Sequence, residues 1–286
     1  MAITTGIIGG TGLYKVEGIE IIDQKKVETP FGAPSAPLTI GKLGDREVIF
    51  LPRHGVHHEI MPSNINFRAN LWALKEAGAR QIISISATGS LQQEIAPGDF
   101  ALVDQYFDHT RGRRVSSYFD NGMVGHISTA EPACARLSAS IYKVAQSIGQ
   151  PLHQKKTYAC VEGPRLGTRA ESFFLKNAVK ADLVGMTNVP EAFLANEAGL
   201  CYVTIGIATD YDCWLDDPDA HVSLAAVIAQ YGKSLSKVTD LVKAFLAEDH
   251  SPRDCQCHAR SAHAVMTPAE FVSPQQKKIL ELLSAP

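Results

Sequence analysis

The chain has 286 residues, of which 45% are hydrophobic and 20% are charged, and its formal net charge is −3. This composition is typical of a globular protein with a sizeable apolar core. The small negative charge argues against nucleic acid or an anionic membrane as a partner. No apolar run approaches the roughly 18 residues of a membrane span. Because the N-terminus lacks the basic leader and long apolar run of a signal peptide, we expect a cytoplasmic location.

Short apolar segments between turn residues predict strands, and longer runs with apolar side chains at helical spacing predict helices. Expected strands cover the apolar run that ends at Gly9-Gly10 and residues 19–22, 38–43, 47–51, 81–86, 100–103, 156–161, 182–184 and 201–208. Expected helices cover residues 66–79, 132–148, 169–178, 190–199, 220–246 and 268–283. Residues 108–123 are rich in Arg, Ser, Asp and Gly, so we expect an excursion outside the core.

Strands that alternate with helices predict an α/β fold with a central mixed, largely parallel β-sheet flanked by helices on both faces. The polar segment 248–262 is the one candidate linker, and a single helix follows it. The sequence therefore predicts one domain over residues 1–248. Residues 249–286 are expected to form a C-terminal extension that packs on the same domain.

The six cysteines fall into two groups. Four stand singly and are expected to be small buried side chains: Cys134, Cys160, Cys201 and Cys213. The other two, Cys255 and Cys257, form a C-x-C pair in a polar segment that also contains His258 and His263. A zinc site and a disulfide are both open interpretations of this pair. Because paired zinc thiolates usually have the spacing C-x₂₋₄-C, we predict no metal site.

Five polar or glycine-rich turns follow predicted strands, at residues 9–12, 53–55, 87–90, 162–165 and 209–212. Ligands bind at the carboxyl ends of strands in α/β sheets. The first turn, with its glycines and Thr11, can form an anion-binding nest, although it matches neither the dinucleotide fingerprint nor the Walker loop. The Arg53 guanidinium can bind a phosphate or a carboxylate. Together with the hydroxyls at 86–90, these turns predict a site for a small tetrahedral anion such as inorganic phosphate.

Asp210 and Asp212 directly follow the most apolar predicted strand. If the backbone stays extended there, both carboxylates point to the same side. Two close carboxylates repel each other, so one of them can hold a proton near neutral pH. Such a pair could protonate adenine at N7 and accept a hydrogen bond from the N6 amino group. A helix N-cap and a metal site are the other interpretations.

These segments together resemble the trimeric-type purine nucleoside phosphorylase family, and within it the methylthioadenosine phosphorylase branch. The matching segments are GIIGGTGL (6–13), LPRHG (51–55), IMPSNINFRANLWALKEAG (60–78), EGPR (162–165), RAESF (169–173), MTNVPEAFLANEAG (186–199) and ATDYDCW (208–214). The resemblance runs from about residue 6 to residue 246. It implies a single-domain nucleoside phosphorylase fold.

The resemblance implies a role for individual residues. Six match phosphate-binding positions: Thr11, Arg53, His54, Ser86, Ala87 and Thr187. Met186 matches the position that contacts the 2′ side of the ribose. Asp210 matches the acid that works at purine N7, and Asp212 matches the acceptor for the N6 amino group. Relatives that prefer 6-oxopurines have Asn at the first of these acids, so Asp210 indicates adenine.

The resemblance implies that three residues line the base and the 5′ group of the substrate: Leu166, Gly167 and Leu224. Leu166 stands where an aromatic residue often stacks on the base, and Gly167 stands where Ser is common. His126 resembles a residue that reaches the 5′ pocket of a neighbouring subunit. Longer members with a C-x-C tail form hexamers, so the resemblance implies a homo-oligomer that is either a trimer or a dimer of trimers.

The implied reaction is phosphorolysis of 5′-methylthioadenosine to adenine and 5-methylthioribose 1-phosphate. Inorganic phosphate is the co-substrate, and no metal or organic cofactor is expected. The alternative is a broader purine nucleoside phosphorylase that also uses adenosine, inosine or methylthioinosine. Two other classes are a nucleoside hydrolase, which typically holds calcium in an Asp-rich N-terminal loop, and a nucleotide-binding module without activity.

Overall fold

The computed structural model describes residues 3–10, 19–216, 222–248, 250 and 254–285. In these residues the strands are β1 (Thr5–Gly9), β2 (Glu20–Lys25), β3 (Leu38–Leu43), β4 (Arg46–Pro52), β5 (Gln81–Ser90), β6 (Phe100–His109), β7 (His153–Val161), β8 (Leu183–Gly185) and β9 (Cys201–Asp210). The α-helices are α1 (Phe67–Glu76), α2 (Ala135–Ser147), α3 (Arg169–Phe173), α4 (Asn188–Glu197), α5 (Leu224–Ala247) and α6 (Pro274–Ser284). A π-helical segment, Phe174–Val179, directly follows α3.

Strand β5 belongs to two parts of one sheet. On one side the order β2-β3-β4-β1-β5 forms an open sheet, and on the other side the order continues β8-β7-β6-β9. Because β9 also pairs with β5, the last five strands close into a barrel. Among the described residues, five of the nine strand pairings are parallel. The predicted mixed, largely parallel sheet is confirmed, whereas the closure into a barrel was not predicted.

Helices cover both faces of the open sheet, as the alternation of strands and helices predicts. Ile7 and Ile83 point to the face that α2 and α5 cover, whereas Ile8 and Ile82 point to the face covered by α1, α4 and α6. Neighbouring residues of a strand point to opposite faces, so a strand buried on both faces is apolar throughout. Each such side chain stabilises the fold by about 1.5–3 kcal/mol through its burial.

Residues 108–123 are mostly exposed or half-buried, as an excursion should be, but Arg114, Tyr118 and Met123 are buried. Strand β6 continues to His109, and the side chains of Tyr118 and Met123 are fully buried. The Tyr118 hydroxyl donates to the Arg68 carbonyl at 2.9 Å. Arg114 is also buried, and its guanidinium donates to the carbonyls of neighbouring loops. The burial of these side chains could not be predicted from the polar composition, because their partners lie far away in the sequence.

Strands β5 and β9 pair in parallel with one irregularity. Thr88 lies opposite Ala208, whereas Gly89 lies opposite Asp210, so Thr209 is an extra residue on the β9 side. This is the arrangement of a β-bulge, which redirects the side chains that follow it.

The C-terminal segment packs on the rest of the chain. Ile279 and Leu283 of α6 belong to the same apolar cluster as α1, and Lys75 donates to the Leu283 carbonyl at 2.8 Å. The domain boundary at residue 248 stays a prediction. Cys134 and Cys201 are buried as expected, but they do not stand alone, because they lie beside the C-x-C pair. No helix of the described residues is long and apolar enough to span a bilayer.

Candidate active site

Four of the segments predicted as turns lie at one edge of the sheet. Residues 87–90 are not a turn, because β5 continues to Ser90. Strand β1 runs parallel to β4 and β5, and β5 runs parallel to β9, so their carboxyl ends lie together. The Arg53 backbone N–H donates to the Gly9 carbonyl at 3.0 Å, which joins the turns after β1 and β4. Gly89 of β5 lies opposite Asp210 of β9. The predicted convergence of these turns is confirmed, while Thr11 and the rest of the 11–18 segment lie outside the described residues.

Arg53 forms a buried ion pair, not the surface pair that an arginine at a strand end usually makes. Its Nε and Nη2 donate to the two carboxylate oxygens of Glu191 at 2.7 and 3.0 Å. Nη2 also donates to Ser84 at 2.5 Å, and Nη1 donates to the Ile85 carbonyl at 3.4 Å. A guanidinium has five N–H donors, so one Nη1 hydrogen has no partner among the residues that the structure describes.

Glu191 is the centre of a polar network beneath this edge. It accepts hydrogen bonds from the hydroxyls of Ser84 and Tyr202 at 2.7 and 2.8 Å. The Asn188 side-chain nitrogen lies 2.9 Å from the hydroxyl oxygens of Ser84, Tyr202 and Thr204, and its two N–H groups share these three acceptors. Burial opposes the charge of Arg53, but Glu191 outweighs it and holds the pKa of Arg53 above its usual value. A buried network in which each charge is paired is rigid, and it fixes the guanidinium in one orientation.

His54 is held neutral beside Arg53. Burial is the largest cause that lowers its pKa, to about 4, and the positive charge of Arg53 adds to it. Its Nδ1 lies 2.8 Å from the Ile60 carbonyl, which can only accept, so Nδ1 carries the proton. Nε2 therefore carries no proton and can accept a hydrogen bond. The ring stacks on His58 with 4.3 Å between centroids.

Thr187 and Ser86 make separate hydrogen bonds near the end of β5. The Thr187 N–H donates to the buried Tyr158 hydroxyl at 3.3 Å, and the Ser86 hydroxyl donates to the Ala87 carbonyl at 3.4 Å. Ala87 follows Ser86 on β5 and is half-buried. Ser86 directly follows Ile85, whose carbonyl accepts from Arg53, so it lies at the end of β5 where the phosphate site is predicted.

Asp210 and Asp212 both lie at the carboxyl end of β9 and are nearly buried. Asp210 accepts from the Thr209 hydroxyl at 2.7 Å and from the Asp212 backbone N–H at 2.8 Å. Burial is the largest cause that raises the pKa of both acids, and the charge of Asp212 raises the pKa of Asp210 further. Asp212 has a φ of +52°, so the expected extended backbone is wrong. A turn closed by the Asp210 carboxylate joins the two acids instead.

Two glycines leave room for these carboxylates. A Cβ atom on Gly89 would lie 3.1 Å from Oδ1 of Asp210 and 3.2 Å from Cβ of Asp212. On Gly167 it would lie 3.9 Å from both carboxylate oxygens of Asp212. The loop that follows β7 therefore reaches the acids, although β7 runs opposite to β9.

The backbone at Met186 is held in place by hydrogen bonds from Arg114. Arg114 donates to the carbonyls of Met186, Val189 and Glu162 at 2.7, 2.6 and 3.0 Å. A Cβ atom on Gly163 would lie only 2.4 Å from the Met186 sulfur, so the loop after β7 presses directly on this side chain. Glycine suits the site for a second reason, since its φ is +67°.

The remaining predicted residues lie on the rim or the surface. Leu166 is 40% exposed and Leu224, the first residue of α5, is 69% exposed. His126 is exposed, and its backbone N–H donates to the Ala264 carbonyl at 2.9 Å. No contact in the described part of the chain brings these three side chains to the acids, so their assignments stay predictions.

Sequence reasoning missed several residues at this edge: Ser84, Tyr158, Glu191, Asn188, Tyr202 and Tyr231. The Tyr231 hydroxyl of α5 is buried, has no hydrogen-bond partner among the described residues, and lies 3.3 Å from where a Cβ atom on Gly10 would be. This hydroxyl therefore lies next to the predicted phosphate loop. The polar residues 188 and 191, which precede the apolar run 192–195, were the available signal for the network.

The family model described as the phosphorylase superfamily matches residues 4–247. The chain belongs to this superfamily. The S-methyl-5′-thioadenosine phosphorylase of Geobacter sulfurreducens is 41% identical over 278 residues, which cover 97% of this chain and 96% of that protein.

Two solved structures extend the comparison. A methylthioadenosine phosphorylase from an Antarctic soil metagenomic library has a TM-score of 0.92 and 38% identity, covering 100% of this chain and 99% of its own. A substituted adenosine/methylthioadenosine phosphorylase from Schistosoma mansoni, solved with methylthioadenosine, has a TM-score of 0.82 and 36% identity, covering 91% of this chain and 96% of its own. The nucleoside phosphorylase fold is therefore confirmed.

Proposed function

We propose that this enzyme catalyses phosphorolysis of 5′-methylthioadenosine to adenine and 5-methylthioribose 1-phosphate. The observation that carries the proposal is the pair Asp210 and Asp212, whose pKa values are raised at the same sheet edge as Arg53 and its neighbouring hydroxyls. The names of the relatives, which share most of their length with this chain, support the same substrate.

Phosphate binds at the ends of β1, β4 and β5. Its oxygens accept hydrogen bonds from the remaining Nη1 hydrogen of Arg53 and from the hydroxyls of Ser86 and Thr187, and the phosphate O–H donates a hydrogen bond to Nε2 of neutral His54. The predicted Thr11 and Ala87 contacts and the Tyr231 hydroxyl complete this site. Bound beneath C1′ of the sugar, the dianion stabilises the oxocarbenium-like transition state and then forms the bond to C1′.

The base binds on the opposite side of the sugar. As the bond between C1′ and N9 breaks, its electron pair moves into the purine, and protonated Asp210 donates to N7 so that adenine leaves as a neutral molecule. Asp212 accepts a hydrogen bond from the N6 amino group. Because these side chains and phosphate supply the proton transfer and the nucleophile, we propose that the reaction needs no metal or organic cofactor.

The 5′ thioether requires an apolar pocket. Leu224 and Ile228, four residues apart on α5, are 69% and 63% exposed and lie on one face of its first turns. We propose that Leu224 contacts the methylthio group, that Met186 contacts the ribose, and that Leu166 and Gly167 border the base.

We propose that the protein is a homo-oligomer, either a trimer or a dimer of trimers. Val124 and Met266 are exposed apolar neighbours joined by a backbone hydrogen bond, and Phe271 is 74% exposed in the same C-terminal segment. His126 lies beside Val124 on this surface. Exposed apolar side chains of this size are typical of contact surfaces. Light scattering tests the oligomeric state, and the cytoplasmic location expected from the sequence is tested by cell fractionation.

Initial rates with methylthioadenosine, adenosine, inosine and methylthioinosine, each with and without phosphate, test the proposed reaction. We expect turnover only with phosphate and a kcat/KM for methylthioadenosine about 10–200-fold above adenosine, the range that apolar contacts give. We expect inosine to be poorer still. Turnover without phosphate would identify a hydrolase. A preference for inosine would identify an oxopurine enzyme, and binding without turnover would leave a nucleoside-binding module.

A further inference from the structure

Four cysteine sulfurs lie together at the end of the sheet opposite the candidate active site. The Sγ atoms of Cys134, Cys201, Cys255 and Cys257 are all within 4.8 Å of one another. We call these four residues the cysteine cluster. Three distant segments supply it: Cys134 is the N-cap of α2, Cys201 is the first residue of β9, and the C-x-C pair follows α5.

The spacing of the cluster fits a tetrahedral metal. Four thiolates at about 2.3 Å from a zinc ion have sulfurs about 3.8 Å apart. In the cluster, the sulfurs of Cys201 and Cys255 are 3.2 Å apart, and the upper bound for the other pairs is 4.8 Å. Shifts of a few tenths of an ångström per sulfur would give the ideal tetrahedron.

The surroundings of the cluster suit a charged metal–thiolate group. Cys134, Cys201 and Cys257 are buried, with at most 5% exposure. The positive charge of Arg136 lies near the sulfurs of Cys201 and Cys134, and its buried Nε has no hydrogen-bond partner among the described residues. Arg136 donates to Gln81 at 2.8 Å, which holds the guanidinium in place. Zinc with four thiolates has a net charge of −2, and a fixed neighbouring cation offsets part of it.

We propose that the cysteine cluster binds one zinc ion, with all four sulfurs as ligands. A site with four protein ligands has no open position, so its role is structural. Cys201 and Asp210 are the two ends of β9, about 30 Å apart at the rise of a strand. The ion attaches the segment after α5 to the body of the enzyme through β9 and α2. It takes no part in the reaction at the other end of the strand.

Metal analysis of the full-length protein, purified under reducing conditions without chelator, tests this site. We expect about one zinc per chain by mass spectrometry and loss of at least nine-tenths of it in Cys257→Ser and in Cys255→Ser. Cys160→Ala is the matched control, because Cys160 is buried outside the cluster; it should keep its zinc. Replacing zinc with cobalt should give thiolate-to-cobalt charge-transfer absorption.

A count of free thiols in denaturant, on protein purified in parallel without reductant, distinguishes the outcomes if a variant fails to fold. Zinc binding predicts six titratable thiols together with one metal ion per chain. Four thiols missing and no metal would mean disulfides and would overturn the proposal. Six thiols and less than one-tenth of a metal ion per chain would overturn it as well, as would iron in place of zinc.

Discussion

The proposed phosphate side and base side of the active site differ in whether their buried charged group is paired. On the phosphate side, Arg53 is paired with Glu191 and its protonation state is fixed. On the base side, Asp210 has only a hydroxyl and a backbone N–H as partners among the described residues, and its pKa is raised. A paired charge positions a ligand but cannot exchange a proton near neutral pH, whereas an unpaired acid can. In the proposed mechanism, phosphate binding and proton transfer are thereby on opposite sides of the sugar.

The largest expected effect comes from removing the proton donor. Asp210→Asn keeps the shape of the side chain but cannot donate an acidic proton to N7. We expect kcat for methylthioadenosine to fall about 10²- to 10⁴-fold, with a much smaller change in KM. Steady-state kinetics measures both. Asp216→Asn makes the same change at a 95% exposed side chain and should leave kcat unchanged. Near-normal turnover in Asp210→Asn would remove the base side from the mechanism.

The second effect concerns the paired charge. Glu191→Gln leaves Arg53 buried without its counter-ion, and we expect the free energy of unfolding to fall by about 3–5 kcal/mol. Glu171→Gln breaks the exposed pair between Arg165 and Glu171 and should cost at most about 1 kcal/mol. Urea unfolding of both variants measures the difference. Equal losses of unfolding free energy would mean that the buried ion pair contributes no more to stability than the exposed one.

A smaller effect is expected from crowding the two acids. Gly89→Ala places a methyl group 3.1 Å from the Asp210 carboxylate, so the acid must move by a few tenths of an ångström. We expect kcat to fall about tenfold, since small displacements of reacting groups are costly. Gly232→Ala on α5 meets nothing within 4 Å and should stabilise the helix by about 0.5–1 kcal/mol. A Gly89→Ala enzyme with full activity would show that the acids tolerate displacement.

The smallest effect is a difference in pH dependence between the two sides. The pKa of His54 is lowered to about 4, so the unfolded state binds more protons between pH 4 and 6.5. Stability from His54 is therefore lost as the pH falls through this window, and His54→Gln should flatten that loss. The pKa of Asp210 is raised, so activity that needs its proton should fall as the pH rises. Unfolding midpoints and kcat are measured across the pH range. If both change with pH in the same direction, the contrast is wrong.

The sequence predicted which strands end in functional turns, because the apolar runs and the residues after them are local features. Asp210 was recognised as an acid at a strand end in this way. The partner of Arg53 could not be predicted, since Glu191 is 138 residues away and no local spacing connects them. The closure of the barrel and the cysteine cluster were not predicted for the same reason, since their partners are distant in the sequence. The turn at Asp212 was missed because its positive φ occurs at a residue other than glycine.

The extra residue at Thr209 has a consequence for variation of this enzyme. Thr209 has no partner in the ladder with β5, so Asp210 and not Thr209 lies opposite Gly89. Deleting Thr209 would leave Asp210 opposite Gly89 in a regular ladder and would remove the hydroxyl that donates to the Asp210 carboxylate. Chain length at this point therefore matters as well as side-chain identity, and redesign of base preference should use replacements and keep the number of residues between Ala208 and Asp212 constant.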